Sequence, residues 1–233
     1  MMDLPSAAEF REQLAAMATA EQRERYTRFF PNDDSFIGVR MGDVFGLAKR
    51  SITMPARDIE VLLESPIHEV RAGACSIMGK AATHKKVTTG RQRELYELYL
   101  RRHDRIDNWD LVDLAAHQVV GTWLLDKPRD PLYRLTRSSF WPERRTAIVA
   151  TAAFIKRRDT ADTIGVAEVL ATDDHELVQK GVGWMLRYAG DIDRAALVGF
   201  LDEHASTMPR EMLRAATEKL DRPLRDRYLR MPA

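Results

Sequence analysis

A repeat constrains this chain more than any other feature. Apolar residues recur at three- and four-residue spacing in "RELYELYLRR", "DLVDLAAHQVVGTWLL", "RRTAIVATAAFI", "TIGVAEVLA", "ELVQKGVGWMLRYA" and "AALVGFLDEHA", the period of a helix with one buried face. No stretch alternates apolar and polar residues over the length of a strand. Pro, Gly, Asp and Ser punctuate the pattern at "FFPNDDSF", "ITMPARD", "ESPIHE", "HKKVTTGRQ", "DKPRDP", "FWPERR", "ATDDHE", "AGDID" and "STMPRE", where helices start or stop. The chain is therefore expected to be all-α. The second helices of the apparent pairs also line up: "HEVRAGACSIM", "LVDLAAHQVV", "PERRTAIVATA", "LVQKGVGWMLR" and "REMLRAATEKL" each carry a polar residue followed by small or apolar ones. Those polar positions are Arg71, Asp113, Arg145, Lys180 and Arg214, separated by 42, 32, 35 and 34 residues.

This is the period of two-helix repeats of the HEAT or armadillo kind, which stack into a curved solenoid with the second helices on its concave face. No long Pro/Gly/Ser linker divides the sequence, so one all-α domain is expected over residues 1–233. The first 30 residues, with a helix from Ser6 to Arg25, would cap the exposed end. The repeated polar position is basic four times and acidic once. A cation there can bond the neighbouring repeat, a role open to Arg71 and Arg214 in particular. A column of cations with one carboxylate also suits a groove for a polyanion with a reactive group at its centre. Trp109 lies four residues before Asp113 and so shares its helix face.

Net charge is only +1, from 36 Lys/Arg against 35 Asp/Glu, so bulk charge gives no case for nucleic acid. Its distribution does: residues 127–158 hold nine Lys/Arg and two acids, a candidate electrostatic footprint. Cys75 is the single cysteine, so no internal disulfide is possible and a reducing cytoplasm fits. No apolar run approaches the roughly 20 residues of a membrane span, and "MMDLPSAAEFREQLAAMATAEQRERY" lacks the basic start and apolar centre of a signal peptide. The six histidines form no dense ligand pattern, and His68-Glu69 is an isolated pair, so no metal and no cofactor are expected. "GVGW" and "GKAATHKK" lack the spacing of a phosphate loop.

At "NWDLVDLAAHQVVG", "FWPERRTAIVATAAFI", "VQKGVGWMLRYAGDID" and "HASTMPREMLRAATEKL", with weaker echoes in "FIGVRMGDVFGLAK" and "SPIHEVRAGACSIM", the chain resembles the DNA alkylation repair family, the HEAT-like-repeat DNA glycosylases of the AlkD type. The likeness runs from Phe36 to Leu220, in the family's order and spacing. It implies a C-shaped all-α solenoid holding duplex DNA, and hydrolysis of the N-glycosidic bond of cationic N3- and N7-alkylated purines. The family's Trp-x-x-x-Asp falls on Trp109 and Asp113, its arginine before "TAI" on Arg145, and its tryptophan in "QKxxGWxLR" on Trp184. "FWPERRTAI" has one residue more than usual after Trp141, so counting from that tryptophan gives Arg144 instead. Asn108 stands where many relatives have a second tryptophan. Gly181 replaces a usual alanine, which loosens the helix by up to about 1 kcal/mol.

A cationic purine is already an activated leaving group, so the protein needs no acid to protonate it. Asp113 would stabilise the oxocarbenium-like sugar and place a water, with Trp109 and Trp184 against the deoxyribose. Arg145 would hold a backbone phosphate. Arg144, Lys180, Arg71, Arg214 and Lys156 would add DNA contacts. No tight base pocket and no lyase step are expected, and the enzyme would act as a monomer. Trp123 and Trp141 read as packing residues, and Asp110 as a helix cap. Two other functions compete: a non-catalytic protein binding damaged or branched DNA, and a protein-interaction module using the concave face.

Overall fold

The computed structural model describes residues 4–29 and 35–231. Most of the break read at "FFPNDDSF" lies outside them. The described residues are helical throughout, with no strand beyond a single bridge between Ser35 and Ile67. They cluster into two compact units, residues 1–119 and 120–233.

The first unit contains α1 (Ala7–Ala15), α2 (Ala20–Phe29), α3 (Met41–Arg50), α4 (Ala56–Leu63), α5 (His68–Ala82), α6 (Thr89–Arg101) and α7 (Trp109–Ala116). The Ser6–Arg25 segment, expected to be one helix, is two. Ser6 and Glu9 form a reciprocal capping box at the start of α1. Thr19 caps the next start through Gln22 N, while its own N–H donates to the Gly38 carbonyl at 2.8 Å. The chain beside Gly38 is held from the other side by Glu69. That carboxylate is fully buried and accepts from the backbone N–H groups of Ile37, Gly38 and Val39 at 3.2, 2.8 and 3.2 Å. Gly38 sits at φ 90°, and a Cβ there would lie 2.2 Å from the Thr19 oxygen, so the turn requires glycine. Helix α1 packs on α3 and α4, and α5 is the hub that touches α3, α4 and α7.

The second unit contains α8 (Asp130–Leu135), α9 (Trp141–Ala150), α10 (Ala152–Ile155), α11 (Ala161–Val169), α12 (Glu176–Gly190), α13 (Arg194–His204), α14 (Arg210–Thr217) and α15 (Arg222–Leu229). Here α12 is the hub, touching α9, α11, α13 and α14. All five aligned second helices of the sequence reading are present, as α5, α7, α9, α12 and α14, each preceded by a partner. Within each unit second helices pack on second helices (α5 on α7, α9 on α12, α12 on α14) and first helices on first helices (α4 on α6, α11 on α13). This is an all-α helical-repeat fold.

Buried arginines tie one repeat to the next. Arg71 on α5, 4% exposed, donates through Nη1 to Asp107 Oδ2 at 3.2 Å, 36 residues on. Arg145 on α9, also 4% exposed, donates through Nη1 to the Leu177 carbonyl, 32 residues on. A polar side chain at the repeated position therefore reaches the start of the following second helix in both units.

A candidate active-site cleft

Helix α7 begins at Asn108, whose side chain accepts a hydrogen bond from Trp109 N at 2.7 Å. The residue that departs from the family pattern is thus the helix cap, a place where asparagine stabilises by about 1 kcal/mol relative to alanine. Asp110, expected to be a cap, is not one. It lies inside the first turn and pairs with His68 on α5, Nε2 to Oδ2, at 2.6 Å. After Ala116 the helix widens into a π turn over His117–Gly121.

Trp109, Asp110, Asp113 and Leu114 occupy one face of α7, since residues three and four apart are neighbours on a helix. They line an open cleft of about 320 Å³ with Tyr26 of α2, Met41 and Phe45 of α3, and His68 of α5. The lining is mainly aromatic and apolar, with two carboxylates set into it. Trp109 is 39% exposed, so a flat π face is available at the cleft's edge, and Asp113 is half-buried. His68 is 1% exposed. Its ring lies 5.1 Å from Phe36, which in turn lies 5.2 Å from Tyr26. Burial is the main cause that lifts the Tyr26 phenol above its ordinary pKa, so it stays a neutral hydroxyl at physiological pH.

In the second unit Trp184 is also 39% exposed. It follows Lys180 by four residues on α12, and Lys180 is exposed and paired with Glu176. Arg214 on α14 is exposed and bonds Glu211 at 2.9 Å. The other two tryptophans are half-buried. Trp123 carries Lys127 Nζ 3.9 Å above its ring, and Trp141 stacks on His175 at 4.5 Å and 10°.

The alternatives Arg144 and Arg145 are both engaged inside the protein. Arg144 holds Asp173 with two parallel bonds, Nε to Oδ2 at 2.6 Å and Nη2 to Oδ1 at 3.1 Å, and donates to the Ser138 carbonyl. Arg145 is buried against Leu177. Gly181 faces it: a Cβ at that position would lie 3.2 Å from Arg145 Nη1. The glycine that departs from the family pattern thus makes room for the guanidinium.

The basic run divides in the same way. Arg129 binds Asp159 and Asp162, and Lys127 binds Asp126 at 2.6 Å. Arg134, Arg137, Lys156, Arg157 and Arg158 are exposed, and none forms an ion pair with a described residue.

Sequence reasoning missed His68, Tyr26 and the role of Asp110. One signal was present. His68 and Asp110 are 42 residues apart, the same interval as Arg71 and Asp113, so the repeat register already placed them at equivalent positions of adjacent repeats. Among the described residues no group of three or more His, Cys, Asp or Glu is gathered as a metal site, and no helix is long and apolar enough to cross a membrane. Cys75 is fully buried, and burial pushes its thiol far above the usual range, so it is unreactive.

Comparison with known proteins agrees with this architecture. No curated protein matches the chain in sequence. A structure described as a predicted DNA alkylation repair enzyme from Enterococcus faecalis matches its fold with a TM-score of 0.69 at 15% identity, over 88% of this chain and 98% of that one. The model of the DNA alkylation repair enzyme family matches residues 10–220. The chain belongs to the DNA alkylation repair enzyme family.

Proposed function

We propose that the protein is a monofunctional DNA glycosylase hydrolysing the N-glycosidic bond of cationic N3- and N7-alkylated purines in duplex DNA. The observation that carries this reading is the pairing of Asp113 with a half-exposed Trp109 on one face of α7, in an open cleft otherwise lined by aromatic and apolar groups.

Alkylation at N3 or N7 puts a positive charge on the purine. As the C1′–N bond breaks, the electron pair moves to the purine nitrogen and cancels that charge. Positive charge then develops on the deoxyribose. A carboxylate in a weakly polar cleft stabilises it more than the same group in water would, and the Trp109 face adds an attraction of about 0.5–2 kcal/mol. Water attacks C1′ and gives one proton to Asp113. Because the lesion's own charge activates it, the enzyme needs no enclosing base pocket, unlike base-flipping glycosylases; the cleft is open. Trp184 offers another exposed indole to the DNA. The exposed cations Lys156, Lys180 and Arg214, with the unpaired members of the basic run, contact phosphates, while Arg71 bonds the segment leading into α7 and Arg144 and Arg145 bond the segment leading into α12 and its first turn.

Release of N7-methylguanine and N3-methyladenine from duplex DNA, by wild type beside Asp113→Asn, tests this reading. Wild-type release with a loss of about 100-fold or more in the variant, DNA binding being retained, is the expected result. The exposed, unpaired cations would serve a non-catalytic damaged-DNA-binding protein equally well. Salt-sensitive binding without release by either form would select that reading.

A further inference from the structure

Every residue of α5 is buried except Lys80, so this helix opens on the surface at that side chain alone. Lys80 Nζ donates to Ser76 Oγ at 3.0 Å and lies 5.4 Å from the centroid of the Phe45 ring. Phe45 also lines the cleft that contains Trp109 and Asp113. Lys49, one turn beyond Phe45 on α3, is exposed. Burial first, and the charge of Lys49 next, hold the Lys80 ammonium below its ordinary pKa. Neither lysine forms an ion pair with a described residue. Two like charges thus stand together beside the cleft with no carboxylate paired to either.

Two ordinary roles do not account for Lys80. A cation in the last turn of a helix complements its dipole, and Lys80 is in the last turn of α5. Its ammonium, however, turns back one turn to Ser76, away from the terminal carbonyls, and those of Gly79 and Ala81 already accept from Thr83 and His84 N–H groups. A solvated surface lysine, for its part, loses no hydration and needs no anchor. An ammonium has three donors. Ser76 takes one, which leaves two N–H groups on an anchored, partly buried stem.

We propose that Lys80 and Lys49 form a phosphate-binding site for the DNA strand whose damaged nucleotide occupies the cleft, and that they hold a backbone phosphate next to that nucleotide. The inference takes from the glycosylase reading only that the cleft receives this nucleotide. A backbone phosphate carries one negative charge. It accepts the two remaining Lys80 N–H groups and relieves the repulsion between the two ammonium groups. The Phe45 ring touches both the ammonium and the cleft, so the phosphate and the deoxyribose beside Asp113 are neighbours along one strand. Lys80 does not itself line the cleft. Its charge is thereby kept off the sugar, where it would oppose the positive charge that develops at C1′. The contact reads no sequence; it fixes the register in which C1′ meets Asp113.

The test is affinity for duplex DNA with a single tetrahydrofuran abasic analogue, in which each of the two phosphates on either side of the analogue is replaced in turn by an uncharged methylphosphonate. Wild type, Lys80→Gln, Lys80→Arg and Lys49→Gln are compared, with thermal unfolding recorded for each. Lys80→Gln is expected to lose about 5–10-fold in affinity at about 0.1 M salt, with a slope of log affinity against log salt lower by about 1. Lys80→Arg should keep most of the affinity. At one of the four positions methylphosphonate should weaken wild type and leave Lys80→Gln unaffected, so that the two bind alike. The same position should account for the smaller loss in Lys49→Gln. The melting temperature of Lys80→Gln should stay level or rise, because a partly desolvated charge has been removed. Wild-type affinity in Lys80→Gln overturns the proposal, and so does a difference that survives methylphosphonate at all four positions. Affinity that falls only in step with thermal stability assigns Lys80 to the fold and also overturns it. Single-turnover release of N3-methyladenine by wild type is measured alongside. Its absence removes the glycosylase reading alone, since the phosphate site stands or falls on the methylphosphonate scan.

Discussion

Arg145 of α9 donates its buried guanidinium N–H to the carbonyl of Leu177 at the start of α12. A side chain that the family pattern assigns to phosphate is also a bolt between repeats. Truncating it leaves a buried carbonyl without its donor, and hydrogen bonds to charged groups contribute about 1.5–3 kcal/mol. Arg145→Ala is therefore expected to be destabilised by roughly 2–3 kcal/mol in chemical denaturation. Unchanged stability together with weakened DNA binding would show that the phosphate role dominates.

Gly181 gives the complementary prediction. Alanine is worth up to about 1 kcal/mol over glycine inside a helix, so Gly181→Ala should stabilise α12 if nothing opposes it. The new methyl would meet Arg145 Nη1 at 3.2 Å, and that nitrogen is held by Leu177 and cannot easily yield. The melting temperature is expected to stay level or fall. A clear rise would mean that the guanidinium moves aside without penalty.

The exposed tryptophans should separate chemistry from packing. Trp109→Ala removes a π face at the cleft and is expected to lower the single-turnover rate by up to about 30-fold, the equivalent of 2 kcal/mol. With 39% of the residue exposed, the loss in thermal stability should be small. A variant that unfolds early would return Trp109 to a packing role.

Lys156 and Arg157 are exposed and form no ion pair with a described residue. Replacing both by glutamine should weaken binding to all duplex sequences alike. Each lost phosphate contact lowers the slope of log affinity against log salt by about 1. An unchanged slope would place the DNA elsewhere.

His175 predicts a pH effect. Its Nδ1 accepts a hydrogen bond from Leu177 N at 3.3 Å as the cap of α12, and an acceptor must be unprotonated. Burial first, and the Arg144 charge next, depress its pKa below the ordinary histidine value. The unfolded chain then binds the proton more readily than the folded one. This group's contribution is complete above about pH 6.5 and declines as pH falls through that value toward the lower folded pKa. His175→Asn, which keeps a cap without the titration, should flatten the stability profile between pH 7 and 5. A slope identical to that of wild type would exclude His175 as its source.

The repeat was legible because burying one face of a helix fixes the apolar spacing, and the five polar positions followed at intervals of 42, 32, 35 and 34 residues. The exposed Trp109 and Trp184 and the half-buried Trp123 and Trp141 were separated by motif context, since composition treats all four alike. Partnership was not legible. Arg71 stays open between a groove cation and a bond to the neighbouring repeat, and Arg145 reads as a groove cation, because a sequence does not show whether a guanidinium turns outward or reaches the next helix. Asp110 has the residue type of a cap, but Asn108, two residues earlier, takes that role and leaves Asp110 free to reach His68. The break at Thr19 inside the Ser6–Arg25 segment depends on Gly38, far along the chain, so local periodicity does not show it.

The two buried arginines among the described residues both point forward. Arg71 reaches Asp107 and Arg145 reaches Leu177, in each case from an earlier segment to a later one, whereas the more exposed Arg102 and Arg105 reach back to Glu60 and to the Leu63 and Ser65 carbonyls. The chain therefore has a polarity at its buried cationic ties. Shortening it from the C-terminal end strands a buried positive charge each time an acceptor is removed. At these two ties, shortening from the N-terminal end removes the arginine before its acceptor and leaves a carbonyl or a carboxylate that water can satisfy. Charge left behind in a low-dielectric interior is the costlier of the two, so Arg71 and Arg145 should carry damage backward from a C-terminal deletion, while loss of Ile37–Val39 does the same forward through the buried Glu69 carboxylate.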